Sequence, residues 1–263
     1  MNVTPEAVAQ RLGAGLAPSL EREDRIRQIA FELGRELLDY GVSVMPRELY
    51  RGRSGSEIAG LVAEDVEAAV WMEPLLRPRQ IERTVEPDPP ASTDGDEAPA
   101  PGPKTIVEEV RPRVVELGSG WSLTAFVLAY LYPDQPIELV EPERPRLWFW
   151  RRLCSLYQKR NLRVHLSSHE DFIARNAGGV DLAIVKRHAP ADALDLAVPL
   201  VREGGRVLSF QRSDRAAEIR KPRTNASGVP VRLESEVRFE SAAARGRHLL
   251  CVGVGLDGSA PAA

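Results

Sequence analysis

The sequence predicts an α/β fold in which helices cover both faces of a doubly wound, mainly parallel sheet. From residue 114 onward, short apolar runs alternate with segments of helical periodicity, and parallel neighbouring strands need a covering helix at each crossover. Two later apolar runs, 231–239 and 248–254, follow one another without a helix between them. They predict an antiparallel pair at one edge of the sheet.

Residues 1–85 are predicted to form a small helical domain. Thr4-Pro5 places an N-cap before a proline at the first helical position, and Ser19 caps a longer helix that ends at Tyr40-Gly41. A third helix begins at Ser56. Apolar residues recur at helical spacing in the second and third helices, so we expect these two stripes to pack against each other.

Residues 86–104 change in composition to Pro, Asp, Ala, Ser and Gly without apolar periodicity. Such a segment cannot bury enough apolar surface to offset the entropy lost on ordering, so we interpret it as a disordered linker. The α/β domain is then 105–256, and 257–263 is a flexible tail.

Within the α/β domain, short apolar runs are predicted to be strands and longer runs of helical periodicity are predicted to be helices. The predicted parallel strands are Val114–Leu117, Ile137–Val140, Val164–Leu166, Leu182–Val185 and Val207–Phe210. The predicted helices are Leu123–Leu131, Arg144–Lys159 and Ala191–Val201.

Composition limits the function classes. The 263-residue chain has no run of about 18 apolar residues and no basic-then-apolar start, so we expect no membrane span, no signal peptide and a cytoplasmic location. The two cysteines and four histidines have no metal-ligand spacing, and no metal is expected.

The net charge of −3 conceals an asymmetry. Basic and acidic residues number 12 and 19 in residues 1–104 but 23 and 19 in residues 105–263, which gives charges of −7 and +4. The basic second part permits an anionic partner such as RNA, although it lacks the dense basic stripe typical of nucleic-acid-binding proteins. DNA binding is not expected.

A glycine turn follows the first predicted strand of the alternating region. Gly118, Ser119 and Gly120 lead directly from that strand into a helix, at the place where such sheets bind ligands. The glycines permit a tight turn and close approach of a ligand, and the helix presents free amide groups. The alternative is a turn without a ligand.

Glu141 ends the second predicted strand, about twenty residues after the glycine turn. A carboxylate there is positioned to accept hydrogen bonds from both ribose hydroxyls of an adenosine-containing cofactor. The alternative is a solvated carboxylate at the end of a strand.

Glu116 precedes the turn and gives an acid-x-Gly-x-Gly pattern. No third glycine follows Gly120, which argues against a nicotinamide or flavin cofactor. The pattern resembles the first motif of S-adenosylmethionine methyltransferases, in which Glu116 would anchor the cationic amino-acid portion of the cofactor. Alternatively, Glu116 caps a neighbouring loop.

Three further segments extend this resemblance: Ser168–Phe172, Val180–Arg187 and Leu200–Leu208. Their order is similar to that in the small-subunit ribosomal RNA guanine methyltransferases of the glucose-inhibited division protein B family, over about Val114 to Gly255. The resemblance implies a Rossmann-like methyltransferase that uses S-adenosylmethionine and modifies ring nitrogen seven of a guanine. Its implied partner is ribosomal RNA or the small ribosomal subunit.

The resemblance also implies roles for particular residues. Cofactor contacts are implied for Gly118 and Leu123 in the turn, for His169 and Glu170 beside the adenine, and for Lys186 after the fourth strand. Candidate substrate-binding residues are Lys186, Arg187 and Arg212. No catalytic acid or base is assigned, because a ring nitrogen carries its own lone pair.

The chain departs from the family pattern in several places. Residues 121–125 stand where the family usually has further glycines and a proline, Lys186 replaces an arginine, and Gln211 replaces a lysine. Arginine and lysine are not equivalent at bidentate sites. Two alternatives stay open: a methyltransferase acting on a small molecule or protein, and a catalytically degenerate homologue that binds RNA or the ribosome.

Two other segments have both an RNA-binding and a structural interpretation. Trp148, Phe149 and Trp150 lie among arginines and would either stack on RNA or pack the helix against the core. Basic residues between Arg215 and Arg223 would form either an RNA-facing flap or a solvated surface segment.

Overall fold

The computed structural model describes residues 64–85, 104–118, 123–186, 188–216, 218–219, 223–239 and 247–255. The helices predicted before residue 64, the segment 86–103 and the tail lie outside these residues. So do Ser119 and Gly120 of the glycine turn, and Arg187.

An eight-stranded sheet forms the centre of the described structure, in the order β5-β4-β3-β6-β7-β10-β9-β8. Its strands are β3 (Val114–Leu117), β4 (Ile137–Glu141), β5 (Leu162–Leu166), β6 (Val180–Lys186), β7 (Val201–Arg212), β8 (Arg223–Thr224), β9 (Pro230–Arg238) and β10 (Arg247–Val254). Strands β3 to β7 run parallel, whereas β10 runs antiparallel to both β7 and β9. The predicted fold class and the antiparallel pair are confirmed.

Helices cover both faces of this sheet. They are α1 (Thr124–Leu131), α2 (Arg144–Leu156), α3 (His169–Asn176), α4 (Pro190–Ala197) and the short α5 (Ser213–Ala216). Phe126 of α1 and Trp150 of α2 belong to one apolar cluster, and Phe172 of α3 and Leu194 of α4 belong to the other. Successive residues of β3 contribute to opposite clusters, Val114 to the first and Val115 to the second. This arrangement explains why the parallel strands are apolar on both faces.

Residues that we assigned to the helical domain instead belong to the α/β core. Residues 64–71 are helical, and Val66, Ala69 and Met72 are fully buried in the same cluster as α1 and α2. Their apolar stripe therefore packs on the sheet domain, not only on another amino-terminal helix. This packing matters because it brings two acidic residues of the same helix to the edge of the sheet.

The domain boundary near residue 86 also differs from the prediction. Strands β1 (Arg79–Val85) and β2 (Lys104–Val110) form an antiparallel pair in which Arg79 lies opposite Val110 and Val85 lies opposite Lys104. All residues of both strands are exposed. The first strand of this hairpin thus comes from the end of the predicted helical domain. The second begins at Lys104, the last residue of the predicted linker, and continues into the predicted α/β domain. It is attached through residues 111–113 to the amino end of β3.

Candidate functional site

The carboxyl ends of β3, β4 and β6 meet at the point where the direction of strand addition reverses. The chain passes from β3 to β4 on one side and later returns to β6 on the other side of β3. Crevices at such switch points are the usual ligand sites of open α/β sheets. The described residues predicted to contact a cofactor lie around this edge.

Gly118 is required by the close approach of β3 and β4. Its amide donates a hydrogen bond to the Val140 carbonyl oxygen at 2.8 Å, and a Cβ atom at position 118 would lie 2.6 Å from that oxygen. A side chain at position 118 would therefore clash with the backbone of β4. The same Cβ would lie 3.4 Å from Oε2 of Glu141, so the start of the turn and the predicted ribose-binding carboxylate are neighbours.

Glu116 lies within β3, is fully buried, and faces the amino end of α1. Its Oε2 accepts a hydrogen bond from the Ala125 amide at 2.6 Å. A carboxylate in the first turn of a helix satisfies a free amide and favours the positive end of the helix dipole. Glu116 therefore fixes α1 to the strand that precedes the turn, which agrees with the capping alternative.

Asp65 is a site residue that the sequence analysis missed. It is fully buried, and its Oδ2 accepts a hydrogen bond from the Leu123 amide at 2.9 Å while Oδ1 accepts one from the Thr124 hydroxyl at 2.5 Å. Leu123, at the N-cap position, has no capping side chain of its own. The carboxylate that caps α1 thus comes from a helix 58 residues earlier in the chain.

Lys186 ends β6 in the same cluster of charges. Its Nζ lies 2.5 Å from Oδ1 of Asp65 and 3.4 Å from Oε1 of Glu64, and the Phe210 ring centroid is 4.5 Å away. Burial alone would lower the pKa of Lys186, but Asp65 and Glu64 outweigh burial and raise that pKa above its ordinary value. Lys186 stays charged, yet only 1% of its surface is exposed. Its own acids therefore enclose the Lys186 ammonium group, and the predicted contacts of Lys186 with cofactor and substrate stay predictions.

Glu141 ends β4 and is fully buried, which excludes the solvated alternative. Its Oε1 accepts a hydrogen bond from the Glu143 amide at 2.9 Å and lies 3.2 Å from Nε of Arg146. Its Oε2 is buried and has no hydrogen-bond partner among the described residues. Burial raises the pKa of Glu141, partly opposed by the Glu143 amide and by Arg146.

His169 and Glu170 begin α3, next to the carboxyl end of β5. Ser168 caps this helix, accepting a hydrogen bond from the Asp171 amide at 3.0 Å. Burial lowers the pKa of His169, and a hydrogen bond with the Gly118 backbone opposes that shift. His169 is thus adjacent to the glycine turn, whereas Glu170 is exposed at the start of the helix.

A cavity of about 250 Å³ opens beside these residues, at the carboxyl ends of β6 and β7. Lys186, His188 and Phe210 line it. Exposed Arg212 and Arg215 stand at its mouth, and Nε of Arg212 lies 3.4 Å from the Asp214 carboxylate. Of the three predicted substrate-binding residues, Arg212 is therefore the one that the structure describes as an accessible cation.

Gln211 occupies the position where the family has a lysine. It is buried, and its Nε2 donates hydrogen bonds to the Ser209 hydroxyl at 2.6 Å and to the His188 carbonyl oxygen at 3.2 Å. The side chain therefore braces the wall of the cavity. No cationic charge is supplied at this position.

Two of the three aromatic residues in α2 pack against the core, and the third is exposed. Phe149 and Trp150 are buried in the core, with their ring centroids 5.0 Å apart. Trp148 is 66% exposed, with the Arg151 guanidinium 5.8 Å from its ring centroid. The run is mainly a packing element that leaves one tryptophan accessible.

Within the described part of the chain, no helix combines the length and apolar character needed to cross a membrane. In the same residues, no group of three or more His, Cys, Asp or Glu side chains is arranged to hold a metal ion.

The strand order, the helices on both faces and the antiparallel strands at one edge define a Rossmann-like α/β domain. No family model matches the chain. Its relatives are found among curated proteins named ribosomal RNA small subunit methyltransferase G. The one from Thermobifida fusca is 34% identical over 122 residues, 45% of this chain and 51% of that protein. The one from Rhodococcus jostii is 33% identical over 113 residues, 43% of this chain and 50% of that protein.

These matches confirm the resemblance that the motifs predicted. The chain spans about half the length of the curated relatives it matches. Among solved structures, TrmN from Thermus thermophilus is similar with a TM-score of 0.43 and 17% identity, over 54% of this chain and 44% of that one.

Proposed function

We propose that this chain is an S-adenosylmethionine-dependent methyltransferase that acts on small-subunit ribosomal RNA, at ring nitrogen seven of a guanine. The observation that carries the proposal is Glu141, a buried carboxylate at the end of β4 whose Oε2 accepts no hydrogen bond from a described residue, although the nearby Trp150 indole opposes the rise in the pKa of Glu141. The similarity to proteins named ribosomal RNA small subunit methyltransferase G supports the choice of substrate. Such a substrate would place the activity in the cytoplasm.

The residues present fit this cofactor at two points. A buried carboxylate oxygen without a donor costs free energy, and a ribose hydroxyl supplies the missing donor. Gly118 lies next to Glu141, since a Cβ atom at position 118 would be 3.4 Å from Oε2 of Glu141. His169, hydrogen-bonded to the Gly118 backbone, would stand beside the adenine.

S-adenosylmethionine, when bound, supplies a methyl group attached to a cationic sulfur. A ring nitrogen with its own lone pair needs no general base, so the protein's task is to position the acceptor and exclude water. Glu116 and Asp65 bind the amino end of α1, the helix that follows the turn. Arg212 and Arg215 stand where phosphates of an RNA chain would approach the cavity.

The proposal is tested in two stages. Calorimetric titration with S-adenosylmethionine is expected to show binding at one site, and binding should weaken in Glu141→Ala. Radioactive methyl transfer is then measured on small ribosomal subunits, naked small-subunit RNA, and a protein extract freed of RNA. Transfer to either RNA substrate supports the proposal, and borohydride reduction followed by aniline cleavage should locate a modified guanine.

The other outcomes separate the alternatives. Transfer to the RNA-free extract alone would favour a methyltransferase of proteins or small molecules. Cofactor binding and RNA binding without transfer to any substrate would favour a degenerate homologue. Absence of cofactor binding would overturn the proposal.

A further inference from the structure

The four histidines of the chain fall into two pairs with different surroundings. Nε2 of His165 lies 2.7 Å from the Glu138 carboxylate, and Nδ1 of His248 contacts the Glu236 carboxylate. His169 and His188 have no such partner: each has a buried Nε2 without a hydrogen bond to any described residue. Buried polar atoms are normally hydrogen-bonded, so two such nitrogens at one edge of the sheet call for a ligand.

His188 lies near His169 and at the cavity. It follows β6 by two residues, and its carbonyl oxygen accepts the hydrogen bond from Gln211 that braces the cavity wall. Its ring centroid is 6.3 Å from that of His169, which contacts the Gly118 backbone. His188 is among the residues that line the cavity. It is therefore close both to His169, beside the start of the glycine turn, and to any molecule that enters the cavity.

The imidazole of His188 is neutral at pH 7. Burial lowers its pKa, which Asp192 of α4 only partly opposes. The other charged and titratable groups around it are His169 of α3 and those that line the cavity with it, namely Glu64, Lys186, Arg212, Arg215 and Arg247. A neutral imidazole has one nitrogen that donates and one that accepts, so it can pair with the edge of a nucleobase without bringing in a charge.

We propose that His188 recognises the acceptor base, by a hydrogen bond between its imidazole and the edge of a nucleobase held in the cavity. This inference rests on the proposed function and deepens it. An enzyme that modifies a base removes the base from its stack into a pocket and reads its edge by hydrogen bonds. His188 is the neutral cavity-lining side chain with an unsatisfied nitrogen, among described residues, and the arginines at the mouth would hold the flanking phosphates.

The first test compares His188→Ala, His188→Gln and the control His165→Gln. In the control, Glu138 retains its 2.7 Å ion pair with Arg113, so the fold should be preserved. We expect His188→Ala to lower kcat/KM on small ribosomal subunits about 10-fold to 100-fold, with affinity for S-adenosylmethionine changed less than about twofold. His188→Gln should recover part of the loss, because a carboxamide also offers a donor and an acceptor.

The second test does not need turnover. Imidazole nitrogen and proton resonances are recorded by NMR for the full chain saturated with S-adenosylhomocysteine, during titration with guanosine monophosphate or ribose 5-phosphate. The His188 signals should shift with the nucleotide but not with the sugar phosphate, and the His165 signals should not move. Wild-type kcat/KM in His188→Ala, or no base-dependent shift of His188, would overturn the inference. If wild type transfers no methyl group to RNA, the proposed function fails, and the NMR titration still decides the role of His188.

Discussion

Asp65 and Lys186 are 121 residues apart in the chain, and their Oδ1 and Nζ atoms lie 2.5 Å apart in a fully buried ion pair. The same Asp65 carboxylate accepts hydrogen bonds from the Leu123 amide and the Thr124 hydroxyl. One side chain thus ties the helical residues 64–71 to the amino end of α1 and to the carboxyl end of β6. Glu64 and Asp65 therefore belong to the site.

The first prediction is that Asp65→Ala destabilises the protein severely. Removal of Asp65 leaves the buried Lys186 charge with only Glu64 at 3.4 Å and leaves the Leu123 amide without its acceptor, and loss of one partner of a buried pair typically costs about 3–5 kcal/mol of unfolding free energy. Urea unfolding followed by circular dichroism measures the change. A variant within about 0.5 kcal/mol of wild type would show that the pair is not formed.

A double-mutant cycle separates the ion pair from the cap. Lys186→Met alone leaves the Asp65 charge without its cation, whereas Asp65→Asn combined with Lys186→Met removes both charges. Because contacting residues couple, the double variant should be more stable than the sum of the two single changes predicts, by about 1–3 kcal/mol. Additive effects would contradict the pairing.

Sequence reasoning succeeded where structure follows from local pattern. The parallel strands, α1 and α2 are marked by apolar runs between turn residues. The structure places Gly118 and Glu141 at the ends of neighbouring strands, as their spacing predicts, and their contacts with a cofactor stay a prediction. The hairpin was missed because both of its strands are exposed, so no buried face distinguishes them from a linker. α3 was missed because Phe172 is its only buried residue, so the helix has no stripe of buried apolar side chains.

The charged cluster was missed for a different reason. Pairs such as Asp65 with Lys186 and Glu64 with Arg247 join positions far apart in the chain, and no single-sequence pattern encodes their distance. One signal was present: position 65 follows Leu61 by four residues, which puts an acid on the apolar stripe of its helix. An acid on such a stripe is buried only if it is paired.

The second prediction is that Glu141→Gln has opposite effects on stability and on cofactor binding. Burial raises the pKa of Glu141, so its ionised form is disfavoured in the folded protein, and the neutral amide should raise the unfolding free energy at pH 7 without ligand. The same change removes a charged acceptor and should weaken S-adenosylmethionine binding about tenfold or more.

The difference in unfolding free energy between wild type and Glu141→Gln should depend on pH. As pH falls through the raised pKa of Glu141, wild type takes up a proton in the folded state and gains stability relative to the glutamine variant. The difference in unfolding free energy between the two proteins should disappear below pH 4.5, the ordinary pKa of a glutamate side chain. Urea unfolding at several pH values measures it. A variant less stable than wild type at pH 7, or one that binds the cofactor normally, would contradict the assignment.

The third prediction concerns Gly118→Ala. The added Cβ would lie 2.6 Å from the Val140 carbonyl oxygen, and because that atom belongs to the neighbouring strand, β3 and β4 must separate. Overpacking of this kind costs about 1–3 kcal/mol. Unfolding free energy and S-adenosylmethionine affinity should both fall. If both are unchanged, the two strands lie farther apart than the 2.8 Å distance between the Gly118 amide and the Val140 carbonyl oxygen indicates.

The fourth prediction concerns the segment between the hairpin strands. Val85 and Lys104 are opposite each other, so residues 86–103 can be replaced by Asn-Gly, which favours the two-residue turn of a hairpin. The melting temperature should change by less than about 2 °C, because the segment has no apolar pattern to contribute to a core. Limited proteolysis should cut wild type within 86–103 first and should lose that cut in the variant. A large cooperative loss of stability would show that the segment packs on the protein.

The final prediction places RNA binding at the mouth of the cavity. Arg212 and Arg215 are exposed and line that mouth, whereas the cation of Lys186 is enclosed by its acids, so the two arginines are available to phosphates. Arg212→Ala with Arg215→Ala should weaken binding to small-subunit RNA and leave S-adenosylmethionine affinity unchanged.

The control for this change removes the same charge from the opposite end of the sheet. Arg83 and Lys104 are exposed on the hairpin, which joins the amino end of β3, away from the site. Filter binding at several salt concentrations compares the two double variants with wild type. Each phosphate contact contributes about 0.7–0.9 to the slope of log affinity against log salt, so loss of two contacts should reduce that slope by roughly 1.5 in the cavity variant alone. An equal loss in both variants would indicate nonspecific attraction, and a loss confined to the hairpin variant would place the RNA at the other end of the sheet.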